Sequence, residues 1–272
     1  MNLEETDMSL IYYSDHCSRI DFVHRILGIF NKQLDNTKRI FIKPNIVSSE
    51  PYPTTTHPEL LDALLYSLSE KEVIVGDAPA VDAGRSDKVL MNTPLREVCE
   101  NHKVSLVNLY SKPTKTVKSR RGYKIKVSTV PFSCDFVISV PVLKAHNMCG
   151  LSGALKNQFG YLSRTDRILM HTKLKDIHKG IAEVNVAIPT NLFIIDAIQT
   201  MVKAQEHRHG GSACELGVMM AGTDPVSLDC LGLDLLSKLE LGIAAKRASM
   251  KYIDYASEYS VGSKDYRIKK IL

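Results

Sequence analysis

Residues 137–160 read VISVPVLKAHNMCGLSGALKNQFG. The stretch changes character twice. It opens as an unbroken apolar run, the pattern of a strand buried on both faces. Lys144, His146, Gly150 and Gly153 follow, and the closing ALKNQFG starts a helix that carries Lys156 and Asn157. A buried strand that delivers titratable side chains to its end, then runs through glycines into a helix, is how a parallel α/β sheet builds a site. Lys144 and His146, two residues apart, project to the same side of an extended segment. Lysine offers a point charge or, desolvated, a base; histidine titrates near neutrality. The glycines let backbone amides approach a ligand, and the helix start favours an anion.

Outward from this stretch the chain alternates strand and helix. Strands are predicted over 8–13, 38–43, 73–75, 104–109, 136–140, 191–195 and 216–220, and helices over 20–34, from Pro58, over 94–102, 173–188 and 224–239. The tail from Ala248 reads as an amphipathic helix with a basic end. Such alternation predicts a three-layer α/β/α fold with a mainly parallel sheet. We expect one domain over 1–272, with a basic β-hairpin inserted at the sheet edge at about 114–130 and a long active-site loop at about 147–172.

At 272 residues, 44% hydrophobic and 24% charged, the composition is that of an ordinary globular protein. A net charge of +5 is too modest and too spread out for a nucleic-acid footprint. The exception is 115–126, KTVKSRRGYKIK. Apart from Tyr123 it lacks the aromatic platforms that stack unpaired bases, so nucleic acid is not expected as a partner. Six cysteines form no CxxC pair, and no secretory leader is evident, which together point to a reducing, cytoplasmic setting. No apolar run is long enough to span a bilayer, so no membrane association is expected.

In open α/β sheets ligands bind beyond the carboxyl ends of the strands. Those ends carry Lys43 and Asn45, Asp77, Lys144 and His146, Asp196, and Asp224. His146, Lys144, Lys156 and Asp196 are therefore the candidate catalytic residues. Lys43, Asn45, His57, Asp77, Asn157 and Asp224 are the candidate substrate contacts. His146 and His171 are candidate ligands for a divalent metal ion. Each has a plainer reading: Asp224 as the N-cap of the helix that Pro225 opens, Asp77 as a turn residue, His57 as a helix-start group before Pro58. The tract His207–Gly211, HRHGG, reads as a surface loop or as a lid over the site. Neither GxxxxGK[ST] nor a GxGxxG after a strand is present, so nothing marks a nucleotide site.

The segments IKPN (42–45), TTTHPE (54–59), VGDAP (75–79), VPVLKAH (140–146), GALKNQFG (153–160), IIDAI (194–198) and GTDPVSLD (222–229) together resemble the domain-of-unknown-function 362 family. The resemblance runs in order over roughly 38–240. It implies redox chemistry, and with the residues above it leads us to expect an oxidoreductase or metal-dependent small-molecule enzyme in a cofactor or specialised-metabolite pathway. Since many family members carry ferredoxin-type modules that this sequence lacks, it also implies a separate ferredoxin-like electron donor. The Lys-Asn strand end with its Thr-rich helix start is, more faintly, similar to the amino-terminal domain of nickel-pincer lactate racemases. The residues and the resemblance together predict an enzyme acting on a small carboxylate- or phosphate-bearing substrate. The alternative is a ligand-binding or scaffold protein that docks an iron-sulfur partner through its basic hairpin.

Overall fold

In the computed structural model, which describes residues 8–240, 242, 247 and 250–271, the strands are β1 (Ser9–Asp15), β2 (Arg39–Pro44), β3 (Glu72–Asp77), β4 (Ser105–Asn108), β5 (Thr114–Lys118), β6 (Lys124–Ser128), β7 (Phe136–Val140), β8 (Val142–His146), β9 (Gly150–Ser152), β10 (Leu192–Val202), β11 (Ser212–Gly222) and β12 (Tyr266–Lys270). The main sheet runs β12-β1-β11-β10-β7-β2-β3-β4, with β8 beside β10 and β9 beside β8. Every neighbour pair is parallel except those that involve β11 or β9.

The strands are apolar on both faces because both faces are covered. Ile40 and Ile42 pack in one core with helices Arg19–Ile29 and Pro58–Ser67, while Phe41 between them packs in the other. Phe136 and Ile138 alternate with Val137 in the same way, as does Ile194 with Phe193 and Ile195. The second core takes most of its helical residues from Ile177–Ala187, Pro225–Leu239 and Lys251–Glu258. This strict alternation across a pleated sheet produces the three layers. Helix starts follow the expected chemistry, with Ser18, Asp176 and Asp224 accepting from first-turn amides and Pro58 and Pro225 in the first turn.

Pro141 creates the geometry at the heart of the molecule. It has no N–H to donate, so the ladder breaks there. β7 pairs β10 only at Leu192 and Phe193, and β8 then takes over beside Asp196 and Met201. The chain thus parts from β2 after Val140 and stays extended beside β10, so that Lys144 and His146 end on the sheet's rim.

Several expectations are corrected. The segment 147–172 is no loop: it holds β9, a short helix Ala154–Asn157 and a helix Arg164–His171. These elements are too short to show a period in sequence. The hairpin β5–β6 does not extend the main sheet edge; it forms its own two-stranded sheet, with Ile125 and Val127 buried in a core. The helix expected over 173–188 begins only at Ile177, because Asp176 caps it. In the tail, Ala248 and Ser249 lie outside the described residues, the helix is Lys251–Glu258, and the basic end is β12, paired parallel to β1. No helix among the described residues is long and apolar enough to cross a membrane.

Candidate functional site

A cavity of about 370 Å³ lies where the carboxyl ends of β2, β3 and β8 meet. The segment from β9 to His171 forms its far side, and Gln205, Glu206 and His209 from the β10–β11 connection cover it.

The first wall is a buried ion pair. Lys43 Nζ lies 2.5 Å from Asp77 Oδ1 and 3.2 Å from the Pro44 carbonyl. Asp77 also accepts from the amides of Ile46 and Ala78 at 2.8 Å. Burial lowers the Lys43 pKa, with Asp77 opposing it. A Cβ at Gly160 would land on Asp77 Oδ1 and lie 2.6 Å from Lys43 Nζ, so the glycine is what lets this chain pass over the pair.

The second wall is β8. Lys144 Nζ donates to Asn45 Oδ1 at 2.7 Å and to the Thr54 carbonyl at 2.5 Å, and no carboxylate among the described residues pairs with it. Burial pushes its pKa down to about 7. The two histidines are wired in opposite senses. His146 Nδ1 accepts from the Met148 and Cys149 amides at 3.1 and 3.2 Å, so it carries no proton. Burial, then Lys156 and Lys144, hold this imidazole neutral, and the proton sits on Nε2 as a donor. His171 Nδ1 donates to the Arg167 carbonyl at 2.6 Å, which leaves Nε2 with a free lone pair. His146 is thus a hydrogen-bond donor, and His171 is the histidine fit to accept a proton.

The third wall is the short helix. Lys156 Nζ has no hydrogen-bond partner among the described residues and lies 5.3 Å from the Phe159 ring centre, and burial lowers its pKa. Asn157 Nδ2 donates to Ser139 Oγ at 2.9 Å, while its buried Oδ1 has no partner. The helix N-terminus does not wait for a ligand as the sequence suggests. Asp229 fills it, accepting from Ala154 N at 2.6 Å and Leu155 N at 3.2 Å; burial raises this carboxyl to about 7. Gly153 is needed because a Cβ there would strike the same carboxylate.

Three sequence candidates do not line the cavity. Asp196 is not at a strand end, since β10 continues to Val202; it accepts from Arg19 Nε at 2.6 Å and Tyr52 OH at 2.7 Å in a sealed cluster. Asp224 lies at the opposite edge of the sheet, because β11 is antiparallel and Gly222 sits beside Phe193. There it is the helix N-cap, bonded to Val226 N, Ser227 N and Ser263 N. His57 caps the helix at Pro58 through Glu59 N and packs edge-on against Tyr52. The remaining candidates, Lys43, Asn45, Asp77, Lys144, His146, Lys156, Asn157 and His171, all face the cavity.

The metal expectation fits poorly. Among the described residues no group of three or more His, Cys, Asp or Glu side chains converges as a metal site. Two amides aimed at Nδ1 also keep the proton on His146 Nε2, the nitrogen a cation would need.

Sequence reasoning missed Arg167. Its Nη1 donates to the Ala78 carbonyl at 2.7 Å, and its buried Nε has no partner. The available signal was its place four residues before His171 on one helix, which puts both on one face. It also missed the fastening of 203–211. Glu206 pairs with Arg208, Arg208 reaches Asp82, and Glu50 accepts from the amides of His207 and Arg208. The HRHGG tract is thus tied down over the cavity and is not a free surface loop.

Comparisons with known proteins agree with the fold. The profile of a family described as "Domain of unknown function (DUF362)" matches residues 40–234. The thylakoid-associated protein sll1697 of Synechocystis sp. is 25% identical over 218 residues, covering 77% of this chain and 65% of its own. The lactate racemase apoprotein of Thermoanaerobacterium thermosaccharolyticum superposes with a TM-score of 0.57 at 15% identity, covering 88% of this chain and 59% of that one. The chain thus spans under two thirds of the length of each, and the racemase likeness shows the fold alone.

Proposed function

The chain belongs to the DUF362 family, and from that premise we propose that it is a cytoplasmic enzyme acting on a small anionic metabolite, carboxylate- or phosphate-bearing, held in the cavity at the carboxyl ends of β2, β3 and β8. One observation carries the reading: Lys144, Lys156 and Arg167 surround one cavity, and none has a carboxylate partner among the described residues. Cations at a cavity with no carboxylate bonded to them are costly to desolvate, and a ligand anion would supply the partner. Asn157 Oδ1 and Arg167 Nε, buried and unpartnered, are the groups left to orient it. His146 Nε2–H would donate to a ligand oxygen, and His171 Nε2 would take a proton.

The test is thermal unfolding and calorimetric titration against small phosphates and di- and tricarboxylates. At least one anion should raise the melting temperature of the parent and do far less for Lys156→Met and Arg167→Met. A parent that responds to no anion, or variants that respond as the parent does, would remove this reading.

The basic hairpin supports a second reading, docking of an acidic iron-sulfur protein. Register places Lys118, Lys124 and Lys126 on one face of β5–β6, all exposed. Reversing Lys118 and Lys124 to Glu should weaken retention of a ferredoxin in low salt while leaving anion binding unchanged.

A further inference from the structure

The cavity holds three lysines, and they are not equivalent. The Lys43 ammonium is committed to Asp77 and the Pro44 carbonyl. That of Lys144 is committed to Asn45 and the Thr54 carbonyl. Lys156 is bound to nothing among the described residues, although it faces the same enclosed space. We propose that Lys156 is a nucleophile that condenses with the carbonyl group of the anionic ligand to form an imine, which makes the ligand a small aldehyde or keto compound with a carboxylate or phosphate. The proposal rests on the anion-binding reading above and deepens it.

An amine attacks only when its lone pair is free. A lysine nitrogen held by carboxylates or carbonyls is kept from a ligand; one with an apolar neighbour and cationic company is free to approach it and gives up its proton more readily than an exposed lysine. Lys156 has the Phe159 ring on one side, and burial and the nearby Arg167 guanidinium both disfavour its charge. Its backbone is held in place, because Asp229 anchors the two amides that open its helix.

The flanking histidines suit the two proton movements. His171 Nε2, with its free lone pair, accepts the proton that the ammonium must lose. The neutral amine nitrogen then bonds to the carbonyl carbon, the carbonyl oxygen gains a proton, and the nitrogen loses one, giving a carbinolamine. His146 Nε2–H is the donor placed to serve that oxygen. The hydroxyl then gains a proton, the C–O bond breaks and water leaves, and the nitrogen gives up its remaining proton to leave the imine. One carbonyl and one amine give one imine and one water, with no redox partner.

The probe is pyridoxal 5′-phosphate, an aldehyde that carries a phosphate, at stoichiometric concentration, followed by borohydride reduction and peptide mapping. We expect the reduced adduct on Lys156, competed by inorganic pyrophosphate. It should persist at a lower pH than labelling of exposed lysines such as Lys32 and Lys88. Lys156→Arg should lose the adduct but keep the anion-induced rise in melting temperature. An adduct on Lys144 or spread over surface lysines, or none at all, overturns the imine, and mapping of the parent decides this without any variant. If anions bind and Lys156 stays unlabelled, only this inference falls. If no anion binds, the reading of the cavity falls first.

Discussion

Two polar clusters hang on strands of the same sheet, and they differ in whether their charges are matched. In one, Asp196 meets Arg19, Tyr52 and the amide of Ile198. In the other, Lys144, Lys156 and Arg167 meet one another across the cavity. Both are buried and both hang on strands of the same sheet. The first is complete: its arginine has its carboxylate, the carboxylate's oxygens are all engaged, and the guanidinium stacks 4.7 Å over the Tyr52 ring. The second is unbalanced, with cations that lack carboxylates and polar atoms that lack partners. A polar residue near a strand end is therefore weak evidence of a site; uncompensated charge around a hollow is stronger.

The comparison can be broken by mutation. The largest effect should come from Arg19→Ala. It leaves Asp196 buried without its counter-charge, and breaking such a pair costs about 3–5 kcal/mol of stability. Urea denaturation checks this, and a loss under 1 kcal/mol would mean that the sealed cluster is not structural. Gly160→Ala comes next, since its methyl must displace the Lys43–Asp77 pair; we expect about 2–4 kcal/mol and a distorted cavity.

A third test uses pH. Burial places the folded-state pKa of Lys144 near 7, below the 10.5 of the open chain. Between those values the unfolded chain binds more protons, so stability rises with pH across the window, and the cost is fully present below pH 7. Lys144→Met removes this dependence. Between pH 7 and 10 the parent should gain at least about 1 kcal/mol relative to the variant, read from paired urea titrations. The same slopes for both proteins would place the charge elsewhere. The smallest effect belongs to the surface: Lys124→Glu should shift stability by less than about 0.5 kcal/mol.

Most of the architecture was legible because apolar runs and glycine-proline punctuation mark parallel strands well. The strand ends at Lys43, Asp77 and Lys144 were found for that reason, and all three meet. Asp224 was misplaced because no local pattern tells an antiparallel β11 from a parallel one; direction is set by pairing partners distant in sequence. Asp196 was misplaced because β10 runs on for six more residues through a stretch, AIQTMV, that lacks clean alternation. Arg167 was overlooked because an arginine in a polar helical segment resembles any solvated one until the helix is docked. The opposite wiring of His146 and His171 depends on which amides and carbonyls surround each ring, and only the folded backbone supplies that.

The outer half of the β10–β11 ribbon, beyond Ala197, is largely paired with itself, from Gln199 against Glu215 to Val202 against Ser212. Its tip meets the rest of the molecule mainly through side chains such as Arg208 and Glu50. The segment 203–211 therefore carries none of the pairings of the inner sheet. A scaffold built this way can change the ceiling of its cavity while keeping the same charged floor.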